Sequence, residues 1–218
     1  MINSVLREDA CREVPVRRHT MHLYRDAEQM VHAASHYIAE GLRRGEGCVI
    51  VATSAHWVNM VGRLALDPHV DLVDAVASGQ LRHMDAELVL CGLLENGMPN
   101  DSLFHERAGT VVEPALHRFG KVRIVNELAG MLWEAGNRPA AIRLEELWNG
   151  LAARLPFALM CTYRSDGEGA DRYNSPLRCV CDAHSHLVAA PEDRPTRLEA
   201  NILKQEVPRA AQACRDTA

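Results

Sequence analysis

The sequence predicts an α/β domain in which helices flank a mainly parallel central sheet. Short apolar runs alternate along the chain with segments of helical periodicity. The runs, such as CVIVAT at 48–53 and FALMCTY at 157–163, are apolar throughout, which is typical of strands buried on both faces. The connections between runs and helices are short, as expected of βαβ units.

The first half of the chain is predicted to contain three strands, each followed by a helix. HTMHLYR at 19–25 is compatible with a strand, and Asp26 after it is a good helix N-cap. The next strand is 48–53, and we expect Ser54 to cap the helix that follows. LRHM at 81–84 is the third predicted strand.

The second half repeats this alternation. A turn at 96–100 (NGMPN) precedes a long helix predicted over 101–119, and KVRIV at 121–125 is the fourth strand. A helix over about 128–135 follows. The next helix begins with Pro139 in its first turn, where the missing N–H of proline does no harm. It leads to the strand at the FALMCTY run.

The chain is predicted to form one domain with two polar ends. Residues 1–18 are expected to be a flexible leader, 19–190 the domain, and 191–218 a linker and polar tail in which a short helix is left open. The 218 residues carry a formal net charge of -5, which gives no electrostatic reason for nucleic-acid or membrane-surface binding.

Targeting and disulfide signals are weak in this sequence. The N-terminal stretch has no apolar core of a secretory signal, and no run approaches the roughly 20 apolar residues of a membrane span. Seven cysteines, an odd number, do not indicate a disulfide framework. We therefore expect a cytoplasmic protein that contacts neither nucleic acid nor membrane directly.

The motifs of common enzymes are missing. The junction of the first strand and helix, HTMHLYRDAEQ at 19–29, has no glycine or lysine and so cannot form a phosphate-binding loop. There is no GxSxG elbow and no HExxH pair. Glu127 follows the fourth strand, where it either positions a water, as in a degenerate nucleotide-binding protein, or caps the next helix or pairs with an arginine such as Arg143. An enzyme is not expected.

The octapeptide CVCDAHSH at 179–186 concentrates metal-ligating side chains. A zinc or other transition-metal site built from Cys179, Cys181, His184 and His186 is one interpretation. One short stretch rarely supplies all four corners of a tetrahedron, and His19 or Cys161 is an alternative residue to complete the site. A thiol redox switch, a pocket-lining role and the end of a strand remain alternatives.

Several longer stretches resemble the MEDS domain, the methanogen/methylotroph DcmR sensory domain, over about residues 19–188. The resemblance rests on His19 with Tyr24, on YIAEGLRRGEGCVIVAT (37–53), LVDAVASGQLRHMDAELVL (72–90) and NGMPNDSLF (96–104), and on Cys181-x-x-His184-Ser185. Its most specific part is LWEAGN followed by AIRLEELWN, within residues 122–163.

The resemblance implies a RecA-like fold without a phosphate-binding loop, and a role in sensing small molecules such as hydrocarbon derivatives. It also implies a protein partner, such as a histidine kinase, an anti-sigma-type module or a transcriptional regulator. This chain departs from the family at Asn126, where a glycine is usual. The positions that match the family's recurring residues are His19, Tyr24, Glu127, Trp148, Asn149, Cys161, Tyr163, Cys181 and His184.

Together these observations predict a non-enzymatic sensory domain. A small molecule is expected at the carboxyl edge of the sheet, where parallel α/β folds bind ligands, and no cofactor is required. The alternatives are a metal- or thiol-based sensor centred on the octapeptide, a degenerate nucleotide-binding protein, and a structural interaction module without a ligand. The sequence does not decide between a monomer and a homo-oligomer.

Overall fold

A sheet of parallel strands forms the centre of the molecule. The computed structural model describes residues 5–6, 18–165, 180, 184 and 186–189. Seven of the described strands join this sheet in the order β1-β9-β2-β8-β7-β3-β4, and every neighbouring pair is parallel. β5 and β6 form a separate antiparallel pair. The strands are β1 Val5–Leu6, β2 His19–Tyr24, β3 Gly47–Ala52, β4 Leu81–Asp85, β5 Leu94–Glu95, β6 Met98–Pro99, β7 Val122–Asn126, β8 Phe157–Arg164 and β9 His186–Ala189.

Seven helices in the described part of the chain connect these strands. They are α1 Ala27–Arg43, α2 Ser54–Ala65, α3 Leu72–Ala77, α4 Ala86–Cys91, α5 Asp101–Phe119, α6 Leu128–Glu134 and α7 Arg138–Arg154. Most of them begin after a side chain that accepts a backbone N–H of the first turn, and Asp26 does so as predicted, from the N–H of Gln29. The prediction for Ser54 is wrong because Thr53 caps α2, while Ser54 is its first residue and donates to Asp85.

The two faces of the sheet carry different helices. Side chains alternate along each strand, so one set of positions packs against α4–α7 and the other against α1–α3. We call the first the α7 face. On β8 it receives Leu159 and Cys161, whereas Met160 points to the opposite face. Burial on both sides explains why β3 and most of β8 are apolar.

Glycine and asparagine permit the tightest turn. Asn96 and Gly97 join β5 to β6 with φ of 51° and 80°, the positive values that a two-residue hairpin turn requires. This hairpin occupies the turn predicted at 96–100. The adjoining helix α5 also matches its predicted span, 101–119, and ends at Gly120 with φ of 72°.

The predicted α/β architecture with a parallel central sheet is confirmed. Only Arg25 and Asp26 separate β2 from α1, so this junction has no room for a phosphate-binding loop. The predicted leader, 1–18, contains the short strand β1, and the predicted tail, 191–218, lies outside the described residues. No described helix is long and apolar enough to cross a membrane.

The octapeptide does not form a strand along its length. Val180 is helical, and β9 begins only at His186, the last residue of the octapeptide. The interpretation of this stretch as the end of a strand is therefore wrong. Cys179 and Cys181 lie outside the described residues.

Candidate functional site

Four buried polar side chains converge on the α7 face of the sheet. His19 comes from β2, Cys161 from β8, Glu145 from α7, and His184 from the segment before β9. One ligand atom from each lies within 4.8 Å of all the others. We call these four residues the His–Glu–Cys cluster. Its side-chain types, two imidazoles, a carboxylate and a thiol, are all common metal ligands.

Strand alternation and helix periodicity bring these residues together. In the parallel pair β2 and β8, Cys161 lies beside Met21, and His19 is two residues before Met21 on the same face. Glu145 lies in the buried stripe of α7, between Leu144 and Trp148. The sheet and the helix therefore present polar groups to each other inside an apolar interface.

Hydrogen bonds orient both imidazoles of the cluster. His19 donates from Nδ1 to Asn149 Oδ1 at 2.9 Å, and its Nε2 lies 3.0 Å from Glu145 Oε2. His184 donates from Nδ1 to the carbonyl of Val180 at 2.7 Å. Because a carbonyl oxygen only accepts, the Nδ1 of His184 carries a proton. In both residues Nε2 is the nitrogen that faces the cluster.

The carboxylate and the thiol have partners of their own. Tyr163 donates its hydroxyl proton to Glu145 Oε1, so Oε2 is the oxygen directed at the cluster. Asn126 donates from Nδ2 to Cys161 Sγ at 3.5 Å. Asn126, the position that departs from the family, thus contacts a cluster residue.

Burial and neighbouring charge shift the protonation of the cluster. Burial acts to raise the pKa of the Glu145 carboxyl, but the positive charge that His184 and His19 can carry, with hydrogen bonds from His19 and Tyr163, holds it below its usual value. Burial lowers the pKa of His184 to about 4, so this imidazole is neutral at neutral pH. Burial, with the charge of Glu145, raises the pKa of the Cys161 thiol well above its usual value.

A second polar group lies at the carboxyl ends of β2 and β7. His56 donates from Nδ1 to the carboxylate of Glu127, 2.9 Å from Oε2, and the backbone N–H of Thr53 also donates to Oε2 at 3.3 Å. Tyr24 donates to Glu134 at 3.4 Å. We call Tyr24, His56, Glu127 and Glu134 the edge group. Glu127 makes no capping hydrogen bond to α6, so the helix-cap interpretation is wrong.

An apolar cavity lies between the α7 face and the helices that cover it. Its volume is about 40 Å³, and the empty space reaches about 440 Å³ only when the solvent at its opening is included. Arg107 is its one charged lining residue, and Val51 and Met84 place it near the carboxyl ends of β3 and β4. The lining residues are Val49, Val51, Met84, Val89, Leu93, Phe104, Arg107, Ala108, Val111, Val112, Ile124, Leu128 and Trp148.

The structure divides the predicted ligand residues among three places. Tyr24 and Glu127 belong to the edge group, and Trp148 lines the cavity. Of the predicted metal ligands, only His184 has a described side chain. The side chain of His186 in β9 is not described, and Cys179 and Cys181 lie outside the described residues. The remaining predicted residues lie in or against the His–Glu–Cys cluster: His19, Asn149, Cys161, Tyr163 and His184.

Sequence reasoning missed Glu145, the acidic member of the cluster. Its neighbour Glu146 faces solvent, in an exposed ion pair with Arg143. A signal for Glu145 was present, because Ala141, Leu144 and Trp148 define a helical stripe that includes position 145. A carboxylate in such a stripe is rarely buried without a function or a partner.

Fold and site together define an α/β domain with a polar cluster buried beneath one helix. The family model of the methanogen/methylotroph DcmR sensory domain, MEDS, matches residues 18–184. The chain therefore belongs to the MEDS family. A search of curated proteins found no match to this chain.

Proposed function

We propose that this protein is a non-enzymatic cytoplasmic sensor whose signal is a small, largely apolar molecule bound in the cavity on the α7 face. The observation that carries the proposal is the lining, in which Arg107 alone is charged. Pockets for small molecules are concave and mostly apolar, with few polar groups that set orientation. The MEDS assignment supports a sensory role.

Two polar groups of the lining favour a hydrocarbon derivative over a plain hydrocarbon. Trp148 is buried, and its indole N–H has no hydrogen-bond partner within the described chain. Arg107 is exposed and carries a positive charge at the cavity. A ligand with an apolar body and one oxygen acceptor would satisfy the indole N–H while burying its carbon atoms.

Signal output would pass through α7 to a protein partner such as a kinase, an anti-sigma-type module or a transcriptional regulator. Trp148 on α7 lines the cavity, so a ligand can shift the balance between two positions of this helix by the difference in its affinity for them. Burial raises the pKa of the Cys48 and Cys161 thiols, which argues against either of them acting as a nucleophile.

The test is binding of defined probes, with 1-hexanol, hexanoate and benzene measured by thermal shift and by ¹⁵N chemical-shift mapping. We expect 1-hexanol to raise the melting temperature and to move signals of α5 and α7. In Ala108→Phe, a ring fills the cavity and both effects should vanish. Ala65→Phe adds the same ring at an exposed position of α2 and should keep them. Absence of binding by all three probes would contradict the proposal.

A further inference from the structure

The His–Glu–Cys cluster has the dimensions of a tetrahedral metal site. Nε2 of His19 lies 3.0 Å from Glu145 Oε2 and 3.3 Å from Cys161 Sγ. Glu145 Oε2 lies 3.4 Å from His184 Nε2 and 3.5 Å from Cys161 Sγ. Around a zinc ion with bonds of about 2.0–2.3 Å, the ligand atoms of a regular tetrahedron are about 3.3–3.7 Å apart. These four separations lie within or just below that range, and the other two, from His184 Nε2 to His19 and to Cys161, are at most 4.8 Å.

Hydrogen bonds to groups around the cluster orient both imidazoles as metal ligands. Both histidines use Nδ1 as a donor, to the side chain of Asn149 and to the carbonyl of Val180, and both direct Nε2 inward. Histidines that bind zinc usually donate their other ring N–H to an oxygen in this way, which fixes the ring orientation.

A shared proton does not account for the whole cluster. A proton between His19 and Glu145 would satisfy those two residues as an ion pair. It would leave Nε2 of His184, a residue 2% exposed, without a hydrogen-bond partner in the part of the chain that the structure describes. A buried acceptor left without a donor costs about 1–3 kcal/mol. A cation at the centre of the cluster would engage this nitrogen.

Charge balance also selects a divalent ion. The carboxylate of Glu145 and a thiolate at Cys161 carry two negative charges, and the two imidazoles are neutral when they ligate a metal. With a divalent cation the buried site has no net charge, so it needs no further counter-charge inside the protein. Two nitrogens, one oxygen and one sulfur in tetrahedral positions suit zinc.

We propose that His19, Glu145, Cys161 and His184 bind one Zn²⁺ ion in a closed tetrahedral site. Because the protein fills all four positions, the site leaves none for a substrate and is structural or regulatory. The ion joins β2, β8 and α7 to the segment that carries His184. Its ligands differ from the set formed within the octapeptide, with which it shares only His184.

The first experiment measures metal in the full chain purified without chelator. We expect about one zinc per chain by elemental analysis. After removal of zinc with a chelator, added Co²⁺ should produce the intense visible bands of tetrahedral cobalt and a thiolate-to-cobalt charge-transfer band. If the purified protein contains no zinc and the chelated protein gives neither cobalt signal, the proposal is overturned. The cluster would then hold only the ion pair of His19 and Glu145.

Variants then assign the ligands. Glu145→Gln and Cys161→Ser should each reduce the metal content or weaken binding at least about tenfold, and Cys161→Ser should also remove the charge-transfer band. Cys48→Ser is the matched control, because Cys48 is a buried free thiol outside the cluster, and it should bind metal as wild type does. If both ligand variants keep the zinc content and the cobalt spectrum of wild type, the proposal is overturned.

A milder variant covers the case in which a ligand variant does not fold. Asn149→Ala removes the hydrogen bond that orients His19 and should weaken zinc binding about 10–100-fold, whereas Asn149→Asp should restore it. If Asn149→Ala binds metal as tightly as wild type, but Cys179→Ser and Cys181→Ser do not bind it, the metal site lies in the octapeptide. This outcome would contradict the proposal. No organic ligand is present in these measurements, so their failure and that of the cavity proposal are distinguishable.

Discussion

Glu127 shows how one side chain can connect three elements. It stands between β7 and α6, and its carboxylate accepts from His56 on α2 and from the backbone N–H of Thr53 after β3. The sequence predicted that this carboxylate marks the carboxyl edge of the sheet, and the structure places it there. Its partner His56 was not predicted, because the two residues are 71 positions apart.

The ion pair of the edge group predicts a raised histidine pKa. The hydrogen bond from His56 to Glu127 raises the pKa of His56 above its ordinary value of 6.5. In Glu127→Gln this pKa should fall toward 6.5, as measured by NMR titration of the His56 ring. Glu134→Gln is the control, because Glu134 makes a smaller contribution to the pKa of His56 and should change it less.

The sign of the stability change follows from the same shift. A raised pKa in the folded state stabilises the fold below the unfolded pKa of about 6.5, and this contribution disappears as the pH rises through the folded pKa. Glu127→Gln should therefore cost more stability at pH 6 than at pH 9, by urea unfolding. An equal loss at both pH values would contradict the assigned ion pair.

A buried ion pair predicts a larger loss of stability. Arg123 on β7 is 1% exposed and donates to Glu46 Oε2 at 2.5 Å. Glu46→Gln leaves the buried guanidinium without this carboxylate and should lower the free energy of unfolding by about 3 kcal/mol. In the control Glu146→Gln the carboxylate is exposed beside Arg143, and the loss should stay below about 1 kcal/mol. Equal losses in urea unfolding would show that burial does not matter here.

At the scale of elements, the close packing of α6 on β8 depends on one glycine. A Cβ at Gly130 would lie 2.2 Å from the carbonyl oxygen of Thr162, a backbone atom that cannot move without displacing β8. No positive φ is involved, so the requirement is one of space. The adjacent β8 carries Cys161 and Tyr163, and displacement of this strand would also disturb the His–Glu–Cys cluster.

Gly130→Ala should lower the free energy of unfolding by about 2 kcal/mol or more, because the new methyl overlaps the strand. Gly62→Ala on α2 is the matched control, since its Cβ meets no heavy atom within 4 Å. Alanine has the higher helix propensity, so this control should gain up to about 1 kcal/mol. Thermal and urea unfolding measure both, and a neutral Gly130→Ala would contradict the packing.

Element boundaries were predictable wherever the signal is local. Asp26 and Asp85 precede helices, and each caps its helix in the structure. The choice between Thr53 and Ser54 as the cap of α2 was not predictable, because both residues are good caps and adjacent. The choice depends on the exact end of β3, which is set by pairing with β4 and β7.

At the scale of the whole molecule, one buried histidine predicts sensitivity to acid. His22 on β2 is 3% exposed, and burial lowers its pKa from 6.5 to about 4. Between these values the unfolded chain binds a proton that the folded chain does not, so stability falls as the pH falls. The loss is about 1.4 kcal/mol per pH unit, up to roughly 3 kcal/mol.

The variant His22→Gln removes this titration. Its free energy of unfolding should change less than that of wild type between pH 6.5 and pH 4.5, measured in urea at constant ionic strength. His69→Gln is the matched control, because His69 lies outside every helix and strand and is exposed, and it should keep the dependence of wild type. A His22→Gln profile parallel to that of wild type would contradict the assignment.

Helix α7 connects the two candidate sites. Trp148 lines the apolar cavity, while Glu145 and Asn149, on the same helix, contact the His–Glu–Cys cluster. A shift of α7 on ligand binding would therefore move a proposed zinc ligand. If both proposals hold, 1-hexanol and metal should alter each other's affinity by the same factor.

The α/β class, the order of elements and the missing phosphate-binding loop were evident from the sequence. They depend on local periodicity, on capping residues and on the two residues between β2 and α1, all of which are short-range properties. The composition of the cluster was not evident, because His19, Glu145 and His184 are far apart in the chain. They meet only because β2, β8 and α7 pack in one arrangement, and that packing is a property of the folded chain.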